Sequence, residues 1–128
     1  MFKLESFAKI LEEKGFGKLG ENIFVNIAPV SKPCILLLEQ SYGSSVDINL
    51  PEYYKDSGFQ VIIRDKSFEK TREISYNIMD TLTIKQSKQI DNLWVNMCYP
   101  RSLPTIYGVL NDENLEGSIN FALNYVNK

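Results

Sequence analysis

Residues 59–82, FQVIIRDKSFEKTREISYNIMDTL, change their hydrophobic period from two to about 3.6 within a few positions. Phe59, Val61 and Ile63 alternate with Gln60, Ile62 and Arg64, the pattern of a strand. Ser67 suits the cap of a helix, and beyond it Thr71, Ile74, Ile78 and Leu82 form one stripe with Met79 beside it. Glu69, Lys70, Glu73 and Asp80 take the outer side. A strand that runs straight into an amphipathic helix must lay that helix back across a sheet, so the chain is committed to a layered mixed fold. The joint, RDKSFEK, has the layout of a phosphate-binding turn but contains no glycine to bare its amides, so it reads as a structural joint.

The flanking segments extend this pattern. Residues 2–14 predict a helix, with Leu4, Phe7, Ala8 and Leu11 on one face. Gly15, Gly17 and Gly20 end it, Gly15 as a left-handed stop. NIFVNIA predicts a strand with Ile23, Val25 and Ile27 alternating, and a turn through Pro29 and Pro33 leads to CILLLEQ, apolar on both faces until Glu39. Residues 41–57 show no period and read as a long connection of the kind that is functional or mobile. In the last third, NLWVNMCY places Leu93, Val95, Met97 and Tyr99 opposite Trp94, Asn96 and Cys98. PTIYGVL and EGSINFALNYV follow as a hairpin joined by NDEN. In the last strand Ile119, Phe121, Leu123 and Tyr125 alternate strictly with Ser118, Asn120, Ala122 and Asn124, which leaves one face polar. The expected architecture is α+β: one domain, residues 1–128, with a largely antiparallel sheet of about five to six strands and two helices packed on one face.

Several function classes are disfavoured. The chain contains no histidine, which removes the commonest metal ligand and the commonest general base at neutral pH. No Gly-x-Ser-x-Gly elbow is present. The carboxylate pairs Glu12/Glu13 and Asp112/Glu113 sit where solvated surface or turn explains them, and NDENLEG has the composition of a calcium loop without its spacing. No catalytic, cofactor-binding or metal-ligating residue is assigned, and the chain reads as a non-enzyme. Net charge is −2 with Lys and Arg scattered, which argues against sequence-specific nucleic-acid binding. No apolar run approaches the ~20 residues that span a bilayer. Glu5, Glu12 and Glu13 interrupt the first segment where a secretory signal needs an uncharged middle, so a cytoplasmic home without membrane partners is expected. Cys34 and Cys98 lie in apolar segments and are expected to be buried thiols rather than a disulfide.

Aromatic residues point instead to surfaces. Tyr42, Tyr53, Tyr54, Trp94, Tyr99 and Tyr107 fall in loops, at strand ends or on the second sheet face. Such side chains either roof a core or bury large rigid area against a partner. Both readings stay open for Trp94 and Tyr107. Tyr53 and Tyr54, beside Leu50 and Pro51 in a segment without periodicity, are read as interface.

The order of CILLLEQSYG, a loop ending in LPEYY, FQVIIRDKSFEKTREISYNIMDTL and a closing GSINFALNYV resembles the phage minor capsid and tail terminator family across nearly the whole chain. The resemblance implies a structural role without cofactor: a ring, typically of six subunits, that caps the tail tube and meets the head connector. The tail is contractile, with the sheath protein as a further neighbour, or of the siphophage type. It also implies assembly in the host bacterial cytoplasm and a final place in a virion or tail-like particle. A ring requires two unlike contact surfaces on each subunit. The expected ones are a second face of the CILLLEQ and FQVIIRD strands, with Ile35, Leu37 and Ile62, and the Leu50–Tyr54 segment. Tyr42 of the 41–57 loop and Tyr107 of the 104–117 hairpin join them, as does Trp94 of the NLWVNMCY strand. The competing expectation is a small α+β adaptor or inhibitor acting through one aromatic-rich surface.

Overall fold

The computed structural model describes residues 4–27, 33–39, 45–47, 50–108 and 114–127, of which 45–47, 50–57 and 127 are described by backbone alone. The elements run α1 (Leu4–Glu13), β1 (Ile23–Val25), β2 (Cys34–Glu39), β3 (Ser45–Asp47), β4 (Leu50–Asp65), α2 (Phe68–Leu82), β5 (Lys88–Ile90), β6 (Leu93–Pro100), β7 (Thr105–Gly108) and β8 (Leu115–Asn127). The class is α+β, as expected. The sheet is larger than the expected five to six strands: eight strands among the described residues form one sheet in the order β1-β2-β4-β8-β6-β5, with β3 beside β4 and β7 beside β8. It is curled into a half-barrel. Among the described strands, only the β1–β2 pair is parallel.

Helix ends follow the local chemistry. α1 buries Leu4, Phe7, Ala8 and Leu11 and stops at Gly15, whose φ of 87° is open to glycine without a Cβ penalty. The amide of Phe16 reaches the Leu11 carbonyl and that of Gly15 the Glu12 carbonyl, the paired bonds of a Schellman ending. At the strand-to-helix joint, Ser67 Oγ accepts from the Lys70 amide at 3.3 Å and Asp65 Oδ1 accepts from the Ser67 amide at 3.0 Å. Side chains from the joint itself thus satisfy amides at the start of α2. Its inner stripe is Thr71, Ser75, Ile78 and Leu82.

Both helices cover one sheet face. Phe59, Val61 and Ile63 of β4 pair with Phe121, Ile119 and Gly117 of β8, and Val61 and Ile63 pair with Leu37 and Ile35 of β2. Those side chains form the core with α1 and α2. Phe7 meets Phe59 with ring centroids 4.9 Å apart, and Phe59 stacks on Phe121 at 5.1 Å, so a column of three rings ties α1 to the two central strands. Gly117 sits beneath α2, where a Cβ would collide with Ser75 Oγ and come within 3.2 Å of Thr71 Cγ2.

Two sequence expectations are corrected. Residues 41–57 are not one long loop, because Ser45–Asp47 pairs with Leu50–Lys55 and β4 starts at Leu50. The alternation that marks a strand is broken there by a bulge between Tyr54 and Ser57, which explains the missing period. In β6 a second bulge, between Val95 and Met97, inserts Asn96. It moves Met97 and Tyr99 to the outer face and Cys98 into the core, reversing the predicted alternation for that half of the strand.

Replacing Gly117 with Ala is expected to destabilise the protein by about 1–3 kcal/mol, the usual range for overpacking. Ser75→Ala in the same chain removes the colliding oxygen, so the double variant should recover part of the loss. Urea midpoints of the two single variants and the double measure this coupling.

Candidate interaction surface

The outer sheet face is set by the same register. Cys34, Arg64, Glu116 and Tyr107 form one row across β2, β4, β8 and β7, and Leu36, Ile62, Ser118 and Thr105 the next. Arg64 Nε lies 2.9 Å from Glu116 Oε1, both side chains mostly shielded. Gln60 Nε2 donates to Ser118 Oγ at 2.8 Å. Cross-strand pairs of this type contribute roughly 0.2–1 kcal/mol each, enough to hold register and too little to hold the fold. Tyr107 donates its phenol to Glu116, and its pKa is raised by partial burial first, then by that bond and the carboxylate's charge, against a smaller opposing effect of Arg64.

The predicted contact residues divide. Ile35 and Leu37 are not on the outer face: they lie in the core beneath the helices, Leu37 with no exposure. The cause is register, since Leu36 and not its neighbours pairs with Ile62. Ile62 is on the outer face but buried. Trp94 is half-buried, paired with Gln89 of β5 and Val126 of β8. Tyr107 is exposed. Leu50, Pro51, Tyr53 and Tyr54 belong to β4, with Tyr53 opposite Val126 and Tyr54 opposite Tyr125 on β8. Their side chains, and Tyr42 altogether, lie outside the described residues.

The large apolar side chains that are exposed include ones sequence reasoning did not select. Met97, Tyr99, Leu103 and Tyr107 gather around β6, β7 and the turn between them, with Leu103 64% exposed. Ile27, 81% exposed, follows β1 at the other end of the strand order. Phe68, also exposed, stands on α2, where Arg72 lies over the Tyr76 ring at 5.9 Å beside an open groove of about 620 Å³. The bulge at Asn96 is what exposes Met97 and Tyr99, and no local pattern announces it. Leu103 could have been found from its position in SLP, a turn sequence without periodicity.

Among the described residues, no three His, Cys, Asp or Glu side chains come together as a metal-ligand set, and no helix is long and apolar enough to cross a membrane. Neither Cys34 nor Cys98 is in a disulfide, and both are buried. Burial pushes the Cys98 thiol from its ordinary value of 9.0 up to about 12. No family model matches the chain, and no curated protein matches it.

Cys98 should therefore resist thiol reagents at pH 8 in the native state and react at the rate of unfolding, measured by labelling with and without urea. Its raised pKa contributes stability that is fully present below pH 9 and is lost as pH rises towards 12. A fall in urea midpoint from pH 8 to pH 10 that is smaller in Cys98→Ala is the expected result.

Proposed function

We propose that the protein is a structural subunit of a phage or phage-like tail, assembling as a ring, typically of six, that caps the tail tube and joins it to the head connector. The resemblance in segment order motivates this reading. The observation that carries it furthest is the location of exposed apolar side chains on the two sides of the sheet: Ile27 beyond β1, and Met97, Tyr99, Leu103 and Tyr107 around β6 and β7, on the side of β8 away from β4. A closed ring is built by heterologous contacts, so each subunit must carry two unlike adhesive surfaces. Lone globular subunits leave scattered apolar side chains exposed, but a clustered set around one edge marks a contact. A weakly acidic chain also suits a ring through which DNA passes without being gripped.

A second reading, a non-enzymatic adaptor or inhibitor module, is favoured by the position of Tyr99 and Tyr107, the exposed tyrosines among the described residues, on the β6–β7 side. The two readings separate on self-association. For a ring subunit, Tyr99→Glu with Tyr107→Glu should convert the assembled species to monomer in light scattering. In electron micrographs of tails assembled with this variant, the tubes should be uncapped. For an adaptor, the wild-type chain stays monomeric and the same pair of substitutions abolishes binding to a separate partner without changing its mass.

A further inference from the structure

Resting on the ring reading, we propose that neighbouring copies join head to tail, the α1–β1 edge of one copy seated on the β5–β6 edge of the next. β1 and β5 terminate the strand order, so among the described residues neither has a second strand beside it, and on β1 a single bridge from Leu19 to Ile23 occupies the outer side. They differ in charge. Around Ile27 and the turn that follows α1 lie four exposed carboxylates, Glu12, Glu13, Glu21 and Glu39, against Lys14 and Lys18. Glu39 is fixed beside Ile27, because its amide donates to Asn26 Oδ1 at 3.2 Å. Glu12 is held at the same edge by the Leu19 amide at 2.8 Å.

The other edge is basic. Lys85 precedes β5, Lys88 opens it and Arg101 follows β6, all exposed; among the described residues of this edge the carboxylate is Asp91, which accepts from the Ser6 hydroxyl of α1. Each edge also carries an exposed apolar side chain, Ile27 on the acidic side and Leu103 next to Arg101 on the basic side. An acidic edge with an apolar anchor and a basic edge with another are complementary to each other, whereas each repels a copy of itself. That asymmetry selects the heterologous contact a ring needs and disfavours a two-fold dimer through either edge.

Charge reversal tests the pairing. One variant carries Lys85→Glu and Lys88→Glu, and a second carries Glu13→Lys and Glu39→Lys. Sedimentation at a series of protein concentrations should show that each alone needs at least about tenfold more protein to associate than the wild type. Mixed in equal amounts they should assemble again in alternation, because the reversed edge of one variant meets the reversed edge of the other, and the two unreversed edges meet each other, each time with opposite signs. The chain carrying all four substitutions should also assemble. Unchanged melting of each variant separates loss of contact from misfolding, and Ile27→Asp supplies a second disruption that leaves the basic edge intact. Wild-type association should weaken as salt rises. Wild-type assembly that ignores both reversals overturns the head-to-tail contact and leaves the ring reading standing. Variants that fail alone and fail when mixed also overturn it. A wild-type chain that stays monomeric at its solubility limit and on tube ends overturns the contact and the ring together.

Discussion

The antiparallel pairing of β4 with β8 is the interaction on which the rest of the structure depends. These are the two longest strands, and every other strand except β1 and β5 is hydrogen-bonded to one of them. β2 and β3 follow one another along the free side of β4, as β7 and β6 do along that of β8. A slip of one residue between β4 and β8 would turn Phe59, Val61 and Ile63 away from Phe121 and Ile119 and separate the ring column from α1. The same slip would part Arg64 from Glu116 and Gln60 from Ser118 on the outer face. Apolar burial on one face and polar pairing on the other therefore specify one register.

Near Asn124 both neighbours of β8 are irregular. β4 carries its bulge between Tyr54 and Ser57, opposite Tyr125 and Leu123, and β6 carries its own between Val95 and Met97, opposite Tyr125 and Asn124. A bulge bends its strand and increases the local twist. Two at one level concentrate the bending there, which is consistent with a curled sheet that wraps α1. The functional consequence is on β6, where the inserted Asn96 turns an apolar pair, Met97 and Tyr99, from the core side to the surface. The adhesive character of that edge thus comes from backbone irregularity as much as from side-chain composition.

Much of the fold was legible in sequence because local chemistry decides it. Ser67 and Gly15 mark helix ends through bonds made within a few residues, and the stripe of α2 follows from its own period. The long alternation of the last strand appears as Ile119, Phe121, Leu123 and Tyr125 in the core. The three-residue strands β3 and β5 were not legible, since neither sits in a longer alternating run of the kind that marks β1. The contact surface was less legible than the fold. Ile35 and Leu37 looked equivalent to Leu36 because all of CILLL is apolar, and only the pairing with β4 decides which members face the helices.

By itself the sequence determined the two helices and most of the longer strands, the end of α1 and the start of α2, the mixed class and the absence of a histidine-based centre, because each rests on side-chain chemistry read over short distances. Tertiary structure alone decided strand register, the two bulges and, through them, which apolar side chains are covered. Those depend on hydrogen-bond partners far apart in the chain, and no periodicity within one segment encodes the alignment of another.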